Sequence, residues 1–266
     1  MGSPVEKRIG RKVDKAILQF GMLEPGDHVL IGLSGGKDSL VLAYHLARKA
    51  ASGRYPIPFT AEAVHVRTDF ATYPMSDESL ALVRSWGIGV TVIDVAVKDR
   101  LKNGRVLNCW WCSSQRRLEL AKFADKTGAR KIALGHHLDD ILETFLMNMT
   151  GRGEMSTMLP VMAYDRYPQT IIRPLAWTHE SEIRDFVTLR GWESFTCTCP
   201  WDSRSPRRIA RRALDVLCES RPGARDAMLR ALCNPVDRYL PEIVSEAPSK
   251  AAPPCGDAAD GPIIGS

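Results

Sequence analysis

Apolar and polar positions follow two alternating rhythms along the first 150 residues. Val29-Leu30-Ile31-Gly32-Leu33 is a short uninterrupted apolar run, the pattern of a strand covered on both faces, and Leu40-Val41-Leu42-Ala43-Tyr44-His45-Leu46 after it reads as a buried helix. A basic amphipathic helix is expected over residues 5–21, and strands at 28–33, about 59–67, 89–96 and 130–135. Between them the pattern predicts helices at 37–52, near 76–87, at about 113–127 and at 137–150, with Cys109 and Cys112 in the loop before the third. Strands alternating with helices are βαβ units, so the fold class is α/β with a mainly parallel, doubly wound sheet, to which Ile171-Ile172-Arg173-Pro174-Leu175 adds a fifth strand.

Beyond Gly151 the rhythm changes. A loop rich in Met, Gly and Pro leads to helices near 178–190, 206–219, 223–232 and 237–244, which read as a small helical appendage. The expected organisation is a basic N-terminal helix (1–24), an α/β domain with the CxxC loop (25–175), the appendage with a late cysteine motif (176–244) and a tail (245–266). In that tail Ala, Pro, Gly and Ser dominate, so disorder is expected and Cys255 is set aside as a functional thiol.

With 266 residues, 44% of them hydrophobic, the chain can build one large core or a domain with an appendage. No apolar run reaches the length of a membrane span, and Met1 to Gly21 lacks a secretory apolar core, so a cytoplasmic protein without a membrane partner is expected. In a reducing compartment, seven cysteines argue for metal ligation or thiol chemistry over disulfides. The net charge of +5 is modest but unevenly spread. Basic clusters stand at Lys7, Arg8, Arg11, Lys12 and Lys15, at Arg100, Lys102, Arg105, Arg116 and Arg117, and at Arg204, Arg207, Arg208, Arg211 and Arg212. The pairs Arg204/Arg208, Arg207/Arg211 and Arg208/Arg212 share helical i,i+4 spacing and repel, so a polyanion such as an RNA backbone would relieve them; a solvated helix face is the plain alternative.

The sharpest motif is Ser34-Gly35-Gly36-Lys37-Asp38-Ser39, between the first strand and the next helix. Two glycines allow close backbone approach, a helix N-terminus offers unpaired N–H groups, and Lys37 adds a full charge, which together make a phosphate site. Walker A spacing fails, because Ile31 stands where its first glycine is needed and Asp38 follows the lysine; Ser34 likewise breaks the dinucleotide pattern. A second motif, Gly135-His136-His137-Leu138-Asp139-Asp140-Ile141-Leu142-Glu143-Thr144, follows a strand and gathers acids at a helix start. Helix capping explains one carboxylate; a nucleotide crevice or, as a sharper alternative, a His-His-Asp metal site explains more. Cys109-Trp110-Trp111-Cys112 and Cys197-Thr198-Cys199-Pro200 form a third, split motif. By spacing alone it is open between a redox dithiol, a zinc site and three thiolates of an iron–sulfur cluster. Cys218 and Cys233 fall at apolar helix positions and read as core.

The hexapeptide Ser34 to Ser39 resembles the signature of the PP-loop ATP pyrophosphatases. Joined to Cys109-x-x-Cys112 with Ser113 to Arg117, to Gly135 to Thr144 and to the late cysteines, it resembles the TtcA-type tRNA 2-thiocytidine synthetases over residues 5–244. That resemblance implies a PP-loop ATPase-like fold and an ATP-dependent sulfurtransferase that adenylates a cytidine O2 in a tRNA anticodon loop, releases pyrophosphate, and displaces AMP with sulfur. It implies ATP held by Ser34, Gly35, Gly36, Lys37, Asp38, Ser39 and Gly135, with His65 near the adenine and Asp38 and Asp140 organising Mg²⁺. It also implies a [4Fe-4S] cluster on Cys109, Cys112 and a third cysteine. The family reads C-x-x-C where this chain reads C-x-C, so the third ligand is Cys197 or Cys199, and Pro200 beside Cys199 favours Cys197. Lys37, Asp38, Cys109 and Cys112 are the implied catalytic set. tRNA and a sulfur donor such as a cysteine desulfurase are the implied partners, with room for a homodimer. Trp110 and Trp111 either stack on a splayed base or pack over the cluster. Rival readings are a PP-loop thiolase for another nucleoside or a small acceptor, and a non-enzymatic ATP-binding module of the universal-stress type.

Overall fold

The computed structural model of the chain describes residues 2–69, 75–101, 109–163, 167–193 and 206–241, apart from the side chains of Cys109 and Trp110. The N-terminal apolar stripe forms helix α1 (Pro4–Gln19). Ser3 caps it by accepting a hydrogen bond from Glu6 N at 3.2 Å, Pro4 opens its first turn, and Ile9, Val13, Ala16 and Ile17 are buried at helical spacing.

Six strands then build one sheet: β1 (Asp27–Leu33), β2 (Phe59–Thr68), β3 (Gly89–Val95), β4 (Lys131–Ala133), β5 (Val161–Ala163) and β6 (Thr170–Ile172). Their order is β3-β2-β1-β4-β6-β5, and every neighbouring pair is parallel except β5 with β6. The expected five-stranded sheet therefore gains a strand. Val161-Met162-Ala163 is too short to show a period of its own, and its antiparallel pairing with β6 is what makes it a strand.

Between the strands lie α2 (Lys37–Ala50), α3 (Asp77–Arg84), α4 (Cys109–Thr127) and α5 (Leu138–Arg152), followed by α6 (Glu180–Arg190), α7 (Pro206–Glu219) and α8 (Ala224–Leu232). Alternation along β1 splits the core. Val29, Ile31 and Leu33 join Leu40 and Leu42 of α2, Ile141 and Leu142 of α5, and Ile183 and Phe186 of α6, whereas Leu30 joins Val64, Leu120 and Ala124 on the face covered by α4. The helices expected as an appendage share the first of these clusters, with Ala210 and Leu214 of α7 and Leu229 of α8 buried in it, and α7 and α8 both lie on α5.

Two boundaries differ from expectation. Helix α4 begins at Cys109, so the CxxC motif occupies a first helical turn and not a loop; Cys and Trp carry little helix preference that could have signalled this. Of the helix expected at 237–244, the described residues 237–241 form a single 3-10 turn, Asp237–Tyr239, because Pro241 forces Leu240 into an extended conformation. Among the described residues no helix is long and apolar enough to cross a membrane.

Candidate nucleotide and sulfur site

From β1 the chain moves outward through β2 and β3, then returns to β4 on the other side of β1. The carboxyl ends of β1 and β4 thus flank a topological switch point, where the crevice of an open α/β sheet lies. Both glycine-bearing motifs end up there. Ser34 to Gly36 turn from β1 into α2, with Gly35 at φ +86°, a conformation that side chains rarely adopt, and Gly36 as the cap of α2. Two hydroxyls hold the turn: Ser39 Oγ accepts from Ser34 N at 3.2 Å and from Ser34 Oγ at 3.1 Å and donates to Gly36 O at 2.9 Å, while Gly36 N donates to Ser34 Oγ at 3.2 Å. The first amides of α2 point out of its N-terminus toward the crevice, as in any helix. On the other wall, a Cβ added to Gly135 would stand 2.9 Å from Ser39 N and 3.0 Å from Asp38 C. The β4–α5 turn rests on the backbone of the β1–α2 turn, and only a glycine permits that.

Charges converge on this contact. Lys37 Nζ lies 3.0 Å from Glu180 Oε1 and 3.2 Å from the Asp38 carboxylate. Burial pushes the Lys37 ammonium toward losing its proton, but Asp38 and Glu180 outweigh it and the pKa ends raised. For Asp38 burial dominates and raises the pKa, with the nearby Asp140 charge adding to it and His137 and Lys37 only partly offsetting it. Asp140 goes the other way: against burial, His137, His136 and Arg207 hold it down to about 2. The His137 ring stands between the two acids, Nε2 being 3.7 Å from Asp38 Oδ1 and 3.4 Å from Asp140 Oδ2. Neighbouring carboxylates pushed in opposite directions are a feature that functional sites share with structural ion-pair networks.

The three acids at the start of α5 have separate fates. Asp140 forms a capping box with His137, accepting from His137 N at 3.0 Å while its own N donates to His137 Nδ1 at 3.4 Å, so the capping account is part of the answer. Asp139 turns away, accepting from Glu180 N at 2.8 Å and from Arg225 Nε of α8 at 2.7 Å. Glu143, fully buried, receives Arg211 Nε of α7 at 2.7 Å and has Arg207 Nε at 3.6 Å. Arg207 and Arg211, read from their spacing as RNA contacts, thus serve internal carboxylates. Arg8 and Lys12 of α1 likewise pair with Glu182, at 2.8 and 2.7 Å, and Arg100 pairs with Glu119 at 2.7 Å. Lys102, Arg105 and Arg204 lie outside the described residues.

The cysteine motif lies one strand over. Cys112 is buried beside Thr68, the last residue of β2, with Thr68 Oγ1 4.0 Å from its sulfur, and Arg116 Nη2 donates to Cys112 Sγ at 3.4 Å. His65 of β2 is buried opposite Leu33 of β1 with Nδ1 2.9 Å from Leu33 O, and burial lowers its pKa; it is a buried histidine, not a surface one. Trp111 packs against the α4-side core. The side chains of Cys109 and Trp110 and all of Cys197 and Cys199 lie outside the described residues. Cys218 is half-buried against the core, but Cys233 is exposed at the end of α8, contrary to expectation. Among the described residues no group of three or more His, Cys, Asp or Glu side chains could hold a metal ion.

Sequence reading missed two site residues. Glu180 gave no local signal, because its nearness to Lys37 is purely tertiary. Arg173 did give one: a charge inside the apolar run 171–175 proves to be a buried guanidinium that donates to His136 Nδ1 at 3.2 Å and to Leu159 O, fixing the β4–α5 turn from behind.

Residues 5–215 match the PP-loop domain family. Curated relatives named tRNA-cytidine(32) 2-sulfurtransferase include one from Marinobacter nauticus, 34% identical over 249 residues, covering 90% of this chain and 80% of the relative. Another, from Syntrophotalea carbinolica, is 34% identical over 246 residues, covering 89% and 93%. Among solved structures, the U34-tRNA thiolase NcsA from Methanococcus maripaludis, described with its [4Fe-4S] cluster, superposes with a TM-score of 0.69 at 22% identity, covering 90% of this chain and 81% of that one. At that identity the likeness concerns the fold.

Proposed function

The chain belongs to the PP-loop family and to that of the tRNA-cytidine(32) 2-sulfurtransferases, and we propose that it uses ATP to activate the O2 of an anticodon-loop cytidine, at position 32 as in its relatives' name, and to replace that oxygen with sulfur. The observation that carries this reading is the seating of Gly135 on Ser39 and Asp38, which joins the phosphate turn and the acidic turn into one crevice.

In that crevice the amides of Gly36 to Ser39 and the Lys37 ammonium hold the phosphates. As O2 attacks the α-phosphorus and pyrophosphate leaves, they also meet the charge that builds on the phosphate oxygens. Asp38 suits Mg²⁺: its Oδ1 is buried and, although Lys37 Nζ lies 3.2 Å away, accepts no hydrogen bond, and a magnesium ion needs only one or two carboxylates beside substrate phosphates. Asp140, held ionised and facing the same turn, is the second carboxylate in reach. An adenine would lie near His65, which is paired with Leu33 at the end of β1.

For the sulfur half, Cys112 is a fitting sulfur ligand, since Arg116 Nη2 already donates to its Sγ and Cys109 precedes it by three residues in the same helical turn. Cys109, Cys112 and one of Cys197 and Cys199 would hold a [4Fe-4S] cluster, and the group when bound supplies sulfide to the base. Sulfur then takes the place of the adenylated oxygen at C2, and AMP leaves. The base must be unpaired to enter, which an anticodon-loop nucleotide satisfies. tRNA and a sulfur donor such as a cysteine desulfurase are the partners this reaction needs.

Protein purified without oxygen and incubated with ATP, Mg²⁺, sulfide and unmodified tRNA should form 2-thiocytidine, detected by nucleoside mass spectrometry, with one AMP and one pyrophosphate per thiolation. Tight ATP binding with neither AMP nor thiolated nucleoside would overturn the reading in favour of an ATP-binding module.

A further inference from the structure

Lys37 shares its ammonium between two carboxylates, and only one belongs to its own turn. Glu180 is the first residue of α6, and its position is fixed at both ends. Its backbone N donates to Asp139 Oδ2 at 2.8 Å, and Asp139 is itself tied to Arg225 of α8 at 2.7 Å. Its side chain, with only 17% exposed, spans two cations, with Oε1 3.0 Å from Lys37 Nζ and Oε2 3.6 Å from Arg211 Nη2. Arg211 is anchored in turn on the fully buried Glu143. An unbroken line of alternating charge therefore runs Asp38, Lys37, Glu180, Arg211, Glu143, from the β1–α2 turn to α7, the helix that directly follows the segment bearing Cys197 and Cys199.

We propose that Glu180 is a positioning residue for adenylation. Resting on the nucleotide reading above, it aims Lys37 at the transferring phosphate and, through Arg211, makes that aim depend on the seating of α7. An ammonium has three N–H donors, and Asp38 and Glu180 occupy two of them in fixed directions, so the third is directed without any motion of the flexible lysine stem. The arrangement has a cost for ground-state binding, because a second carboxylate beside Lys37 repels an incoming triphosphate. It has a benefit at the transition state, where a pre-aimed cation meets charge that is only then developing. Glu180 thus trades ATP affinity for rate, which a merely structural ion pair would not do.

Glu180→Gln separates the two effects. The amide keeps the size and one acceptor oxygen but removes the charge and the grip on both cations. By calorimetric titration ATP should bind about threefold to tenfold more tightly, as one repelling charge a few ångströms away is lost. The rate of AMP formation at saturating ATP should fall about tenfold to a hundredfold through lost orientation. A parallel loss of affinity and rate, or no change in either, overturns the proposal. If Glu180→Gln does not fold, Glu180→Asp carries the test, because it keeps the charge at the start of α6 but shortens its reach to Lys37 and leaves the Arg211–Glu143 pair intact. The rate should then fall with ATP affinity unchanged, and an unchanged rate overturns the proposal. A wild-type chain that binds no ATP or forms no AMP sinks the nucleotide reading instead, so the two failures are distinguishable.

Discussion

Gly135 carries no charge and no side chain, yet the two turns of the crevice meet on it. Its added Cβ would strike backbone atoms, at 2.9 and 3.0 Å, and backbone cannot swing aside as a long side chain does. Gly135→Ala should therefore part the turns, lowering stability by about 1–3 kcal/mol and weakening ATP binding at least about tenfold through misplaced phosphate donors; a thermal melt and a titration with ATP read both. His45 offers a different residue-scale test. It is buried under α1 with Nε2 unpartnered, and burial, helped by Lys49, lowers its pKa from 6.5 to about 3. Between those values the unfolded chain binds a proton that the folded chain refuses. This contribution to stability is therefore complete above pH 6.5 and is lost as the pH falls toward 3. From pH 7 to pH 5 it removes about 2 kcal/mol, and urea unfolding of His45→Phe should lack that part of the acid sensitivity of the wild type.

At the scale of elements, α7 is held by a charge, not by its apolar face alone. Glu143 is fully buried, and burial raises its pKa even though Arg211 pulls it down. Glu143→Ala leaves Arg207 and Arg211 facing an emptied site. The expected loss is about 2 kcal/mol in urea unfolding, below the value for a fully buried pair because Arg211 keeps nearly half of its side chain in water. Glu143→Gln, which keeps the volume and relieves the burial of charge, should cost less. The elements themselves were legible wherever apolar runs were long: β1, α2 and α5 follow directly from their patterns. They were illegible where a partner decides. Strand β5 has three residues and exists through its pairing with β6, and the first turn of α4 is written in cysteines and tryptophans with little preference of their own. Arginines at i,i+4 spacing predicted a surface for a polyanion, because their repulsion was visible in the chain and the carboxylates that relieve it, Glu143 and Glu180, were not.

For the whole molecule, the carboxyl edge of the sheet places the two proposed half-sites side by side. The phosphate turn follows β1, the acidic turn follows β4, and Cys112 meets the end of β2, so each half occupies a different strand end with neighbouring strands about 4.8 Å apart. Each half was readable from the chain because its residues are contiguous, Ser34 to Ser39 on one side and Cys109 to Cys112 on the other. Their adjacency was not, because it depends on the strand order. Contiguity within halves and separation between them predicts a double dissociation. Lys37→Ala should abolish formation of AMP while the anaerobically purified protein keeps its iron, measured by chemical assay and visible absorbance. Cys112→Ala should lose the iron and all thiolation yet bind ATP within about threefold of the wild type, since the partners of Cys112 (Thr68 and Arg116) and those of Lys37 (Asp38 and Glu180) are different residues. If removing the thiol also abolished ATP binding, or removing the lysine also stripped the iron, the two halves would be a single cooperative site. The switch-point crevice would then not be the self-sufficient phosphate cradle proposed for it.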